Sequence, residues 1–160
     1  MGIFSKWRNG WLKLPFDKTA IENAIAQLET QTSAELRVFI ESKKKVPNGK
    51  KSSEFSPLER ALQVFDDLQM QATQARNGVL IYIAFSDHQC VVMGDKGIDH
   101  FVLPKFWQQQ CDLMTACFKQ GHYTEGVVKV IEKIGVELTA HFPYLPDDQN
   151  ELDNEVIIND

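Results

Sequence analysis

ARNGVLIYIAFSDHQCVVMGDKGID, residues Ala75 to Asp99, decides the fold. Val79 to Phe85 is apolar almost without interruption, as expected of a strand covered on both faces. Ser86-Asp87-His88 is a turn signal, and His88 to Met93 reads as the returning strand of a hairpin. The hairpin brings Arg76-Asn77-Gly78 and Gly94-Asp95-Lys96-Gly97 to one edge of a sheet. Any chemistry of this chain is expected there.

Working outward, the preceding segment supplies the partner strand. Ala34, Leu36, Val38 and Ile40 alternate with polar Glu35, Arg37 and Glu41, which predicts a half-buried strand. Between the two lies a helix. Ser56-Pro57-Leu58-Glu59 is a helix start with a cap, a proline in the first turn and a glutamate three residues on. Leu58, Ala61, Leu62, Phe65 and Leu68 make its expected apolar stripe. A strand, crossover helix, strand unit should be parallel and right-handed.

Helices flank this unit. Asp17 can cap a first helix running to about Thr30, with Ile21, Ala24, Ile25 and Leu28 on one face. Pro104 opens a third helix, with Phe106, Trp107, Leu113, Met114, Cys117 and Phe118 inward and Gly121 as its stop. Thr124 caps a fourth through Val127, Ile131, Ile134 and Leu138, and Pro143 ends it. The order α-β-α-β-β-α-α predicts an α/β fold, a small mixed sheet sandwiched between helices.

The quoted segments resemble the TPM domain family. The matches are TSAELRVFI (Thr32 to Ile40), RNGVLIYIA (Arg76 to Ala84), GDKG (Gly94 to Gly97) and FKQGHYTEGVVKVI (Phe118 to Ile131), in order and at the family's spacing over roughly residues 17 to 143. The resemblance implies the same layered architecture with a fourth strand, which the sequence does not place. Family members include envelope and thylakoid-lumen proteins, some linked to acid phosphatase activity, calcium binding or repair of membrane complexes. The family also contains a membrane auxiliary subunit of a receptor. The resemblance therefore implies a fold strongly and a function weakly. In the family the residue before Asn-Gly is typically an aspartate, where this chain has Arg76.

Three segments follow. Residues 1 to 16 form a basic, aromatic N-terminal arm, residues 17 to 143 the TPM-like domain, and residues 144 to 160 an acidic tail. In the arm, Ile3, Phe4, Trp7, Trp11 and Leu14 recur three or four apart with Lys6, Arg8 and Lys13 between them. Phe4, Trp7 and Trp11 are thus the candidates for contact with a membrane or a hydrophobic partner groove. The net charge is −5, and residues 145 to 160 alone carry −6, so the rest is about +1. The tail is expected to be mobile, with Val156 to Ile158 as its one segment able to dock on a sheet edge, near the basic loop Lys43 to Lys51.

Composition excludes several classes. An apolar share of 43% over 160 residues supports one domain whose core needs neither disulfide nor metal. No apolar run approaches the ~18 residues of a transmembrane helix. Cys90, Cys111 and Cys117 are odd in number with no CxxC pair, and read as reduced thiols in a cytoplasmic protein, peripheral to the membrane if the arm binds one. The basic loop Lys43 to Lys51 carries no interleaved aromatics and no known motif, so no nucleic-acid partner is expected. His88, His100, His122 and His141 show no metal-ligand spacing. There is no nucleophile elbow and no P-loop, and catalytic residues are not identified.

The chemistry left is the polar edge. Glu35, Asn77, Asp95 and Asp99 offer hard oxygen ligands for calcium or magnesium, a weak and non-essential cofactor at best. Arg76 and Lys96 stand in the same cluster, leaving three carboxylates against two cations. That set reads as an ion-pair network, a weak divalent-metal site, or an anion site on Arg76 and Lys96. The expected function is a non-catalytic accessory module for a protein or membrane complex. A divalent-metal-dependent phosphatase and a membrane-surface adaptor are the alternatives.

Overall fold

The computed structural model describes residues 14–146 and 150–159. Phe4, Trp7 and Trp11, expected at a membrane or partner, lie outside the described residues. The elements run α1 (Lys18–Glu29), β1 (Glu35–Glu41), a short 3-10 turn at Ser52–Glu54, α2 (Pro57–Asp67), β2 (Gly78–Ala84), β3 (Gln89–Gly94), α3 (Lys96–Asp99), α4 (Pro104–Lys119), α5 (Tyr123–His141) and β4 (Ile157–Asn159). The expected mixed α/β architecture is borne out. The one-turn α3 and the strand β4 add to the order read from the sequence.

The four strands lie in the order β3-β2-β1-β4. β1 runs parallel to β2, Glu35 opposite Gly78 through Glu41 opposite Ala84. β2 and β3 are antiparallel, Val79 opposite Gly94 through Ala84 opposite Gln89. His88, at φ 55, takes the left-handed turn that joins them. β2 is buried over all seven residues, as its unbroken apolar run requires.

One face of the sheet is covered by α1, α4 and α5. Ile21, Ile25 and Leu28 meet Leu36, Val38, Ile40, Val79, Ile81 and Ile83, with Met114, Ile131 and Ile134 above. Asp17 caps α1 by accepting from the Ala20 N–H at 3.1 Å. Thr124 is not the cap of α5; it lies in the first turn, and its Oγ1 accepts from Asp17 N at 2.9 Å.

The other face is covered by α2, capped by Ser56 Oγ accepting from Glu59 N at 3.0 Å. Here the expected stripe is corrected. Ala61, Val64 and Phe65 face the sheet, while Leu58 and Leu62 are about half exposed. The helix is turned so that Arg60 points inward. Strand β1 is likewise not half-buried. Glu35 and Glu41 are buried, because Phe39 shares their face and packs with Leu80, Tyr82 and Phe65 beneath α2.

The mobile-tail expectation is corrected for residues 150–159. Leu152 and Val156 are buried, and β4 pairs in parallel with β1, Phe39 opposite Ile157. This supplies the fourth strand. Charge repulsion is offset because the acids find partners. Lys18 on α1, rather than the Lys43 to Lys51 loop, pairs with Glu155 at 3.0 Å, and Glu151 accepts from Gln74 N at 3.1 Å. No helix among the described residues is long and apolar enough to cross a membrane.

Candidate functional site

Strand direction gathers the polar edge as the sequence predicts. The starts of β1 and β2 and the end of β3 meet there, stitched by Glu35 N donating to Asn77 O at 3.3 Å and Asp95 N donating to Gly78 O at 2.8 Å. Asn77 adds a side-chain link, its Nδ2 donating to Ser33 O at 3.2 Å. Gly97 closes the cluster, donating its N–H to Arg76 O at 2.9 Å. A Cβ at Gly97 would stand 2.2 Å from the Ala75 carbonyl oxygen, so only glycine permits that approach.

Arg76 sits at φ 51, a left-handed conformation costly for a long side chain. Its guanidinium grips Asp95 bidentately, Nε at 2.6 Å and Nη2 at 2.9 Å from the two carboxylate oxygens. Asp95 also caps α3, accepting from Lys96 N at 2.8 Å. The Asp95 side chain is 6% exposed and that of Arg76 35%, so one partner is buried and the other half open to water.

Glu35 is committed elsewhere. Its carboxylate accepts from the backbone N–H of Glu151 at 2.5 Å and from that of Leu152, which anchors the C-terminal segment beside β1. The sequence places Glu35 in the cluster, but nothing in it signals that Glu151 and Leu152 would claim its oxygens. Lys96 and Asp99 are exposed on α3.

This donor set does not fit a dication as arranged. An oxygen-ligand site needs several oxygens free to turn inward on one ion. Both oxygens of Asp95 face Arg76, and both of Glu35 face backbone donors. Asn77 Oδ1 is buried with no hydrogen-bond partner among the described residues. No group of three or more metal-ligating side chains occurs among the described residues. Nor do Arg76 and Lys96 form an anion clamp, since Arg76 is turned onto Asp95.

A second polar cluster was not legible in the sequence. At the far end of β1, Arg60 donates from Nε at 2.8 Å and Nη2 at 3.0 Å to Glu41. Tyr82 donates its hydroxyl to Glu41 Oε2 at 2.5 Å. The Arg60 guanidinium lies 5.6 Å from the Phe39 ring centroid. Burial pushes the Tyr82 hydroxyl well above its ordinary value, and its bond to Glu41 adds to the shift. This triad is structural, because the Arg60 and Glu41 side chains are buried and bonded to each other and to Tyr82 beneath α2. Its sequence signal is faint: Phe39, in phase with Glu35, Arg37 and Glu41, marks a face that is not open to solvent.

Comparisons with known proteins agree with this architecture. The family model described as TPM domain matches residues 14–137. The NMR structure of the BA42 protein from the psychrophilic bacterium Bizionia argentinensis superposes with a TM-score of 0.79 at 35% identity, covering 92% of this chain and 98% of that one. The N-terminal domain of the cg2496 protein from Corynebacterium glutamicum gives a TM-score of 0.54 at 13% identity, covering 82% and 79% of the two chains, a likeness of fold alone. Among curated proteins there is no match. The chain belongs to the TPM domain family.

Proposed function

We propose that this TPM domain is a non-catalytic interaction module, accessory to a protein or membrane complex. One observation carries the reading: at the polar edge Arg76 holds Asp95 bidentately, so the charges that chemistry would need are spent on each other. The surface beyond that edge suits a partner. Phe101 and Leu103 follow α3 and are 49% and 73% exposed, and Tyr144 and Leu145 are about half exposed. The Phe101 ring stacks on His141 at 5.0 Å and meets Phe142 edge-on at 5.6 Å, a preset aromatic ledge. Exposed His100 meets the Phe101 ring at 6.4 Å, and exposed Lys96 and Asp99 precede it in the chain, a mix of apolar and polar surface suited to a protein interface.

The competing reading is a divalent-metal-dependent phosphomonoester hydrolase. The orphaned Asn77 Oδ1 favours it, because a buried carbonyl without a donor suits a cation. Two measurements separate the readings. Turnover of p-nitrophenyl phosphate by the purified chain, with magnesium or calcium, should stay at the metal-free background. A photo-crosslinker at position 103 should capture the same complex that co-purifies with the unaltered chain, and one at the exposed position 59 should not. A metal-dependent rate abolished by Asp95→Asn would replace the module reading with the hydrolase.

A further inference from the structure

The opposite end of the sheet carries a cleft of about 480 Å³, lined chiefly by apolar side chains. Ile83, Phe85, Phe118 and Tyr123 form its walls, and Cys90 opens into it. The aromatic rings there pack edge to face, Phe85 against Tyr123 at 5.1 Å.

Cys90 on β3 and Cys111 on α4 face one another. Cys90 Sγ lies 3.8 Å from the carbonyl oxygen of Cys111, and Cys111 Sγ lies 3.6 Å from the carbonyl oxygen of Cys90. Each side chain reaches the other's backbone, so both thiols sit at one contact between β3 and α4. Both thiols are free. Cys90 is half-buried at the cleft, and Cys111 is buried behind it. Cys117 belongs to a different surface of α4: it turns toward α5, where a Cβ on Gly126 would stand 2.8 Å from its own.

We propose that Cys90 and Cys111 form a dithiol switch, in which an organic hydroperoxide entering the apolar cleft oxidises Cys90 and Cys111 closes a disulfide.

The roles follow from the surroundings. The neighbouring Cys111 side chain, with Thr115, holds the Cys90 thiol below its ordinary value against the opposing effect of burial. Its closeness to Cys90, together with burial, raises the Cys111 thiol. The Cys90 thiolate attacks the terminal oxygen of the hydroperoxide. The O–O bond breaks, an S–O bond forms, and the departing alkoxide takes a proton to become the alcohol. The Cys111 sulfur then attacks the Cys90 sulfur of the sulfenic acid. The S–O bond breaks, the S–S bond forms, and the hydroxyl leaves with the Cys111 proton as water. The dithiol loses two electrons and the hydroperoxide gains them. The product staples β3 to α4 at the rim of the cleft.

The test uses the full reduced chain, treated separately with cumene hydroperoxide and with hydrogen peroxide, then mapped by peptide mass. We expect a Cys90–Cys111 linked pair lighter by two hydrogens, with Cys117 still open to alkylation. The link should form several-fold faster with cumene hydroperoxide. In Cys111→Ser, dimedone should trap a sulfenic acid on Cys90. Oxidation of Cys117 as fast as the pair, or no Cys90–Cys111 link, overturns the switch. Equal rates with the two oxidants overturn the assignment of the organic hydroperoxide. The mapping of the unaltered chain decides the first question without any variant.

Discussion

Two bidentate arginine–carboxylate pairs stand at opposite ends of the central strands. Glu41 and Arg60 are each 7% exposed, walled by Phe39 and Tyr82. Asp95 is as deeply buried as Glu41, but Arg76 is 35% exposed. The contact chemistry is the same and the access of water differs. Removing Arg60 leaves Glu41 without a countercharge in the core, held only by the Tyr82 hydroxyl and the Lys45 N–H, whereas Asp95 deprived of Arg76 keeps the Lys96 N–H at α3 beside a more open surface. The buried pair therefore constrains folding, and the half-open pair is free to change what it binds.

The largest effect should come from Arg60→Ala. Leaving Glu41 uncompensated in the core costs about 3–5 kcal/mol of stability, read by urea unfolding. A loss below ~1 kcal/mol would place the two pairs on the same footing.

Acid should separate them next. Burial pushes the Glu41 carboxyl up, but the Arg60 and Tyr82 hydrogen bonds and the Arg60 charge more than reverse this and hold it below its ordinary 4.5. A carboxyl with a depressed folded value stabilises the fold above its unfolded value, and that contribution fades as pH falls through the folded value. Unfolding midpoints should decline as the pH drops below 4.5, and Glu41→Gln should flatten that decline. Equal slopes would assign the acid sensitivity to other carboxylates.

The smallest effect on stability belongs to Arg76→Asp, within about 1 kcal/mol. Position 76 is left-handed at φ 51, which aspartate tolerates better than arginine. The same change removes a cation and adds a carboxylate beside Asp95 and Asn77. Calorimetric titration should then show calcium binding at least about tenfold tighter than in the unaltered chain. A dissociation constant below ~10 μM for the unaltered chain would show that Arg76 does not keep the ion out.

The sheet was legible because its signals are local and redundant. The apolar run of β2, the Ser86-Asp87-His88 turn and the Ser56-Pro57 helix start each name one element, and strand direction then fixes the polar edge. What escaped reading depends on pairings between distant residues. Arg60 and Glu41 look like surface charges in isolation, and only the roll of α2 against β1 brings them together. The tail misled for the same reason. Its acids argue for mobility, but Leu152, Val156 and Ile157 find apolar partners, and the Glu35 carboxylate binds the backbone ahead of them.

The late strand has a consequence for how the chain is made. Phe39, Ile40 and Glu41 wait for Ile157 to Asn159 to cover their outer edge, and Arg37 meets Glu155 118 residues further along. At ribosomal speed that interval is roughly 6 to 24 s. For all of it the outer edge of β1 is open to pairing with another nascent chain. The last three strand residues therefore seal the first strand, and ribosomes stalled short of them would release a domain whose sticky edge is still exposed.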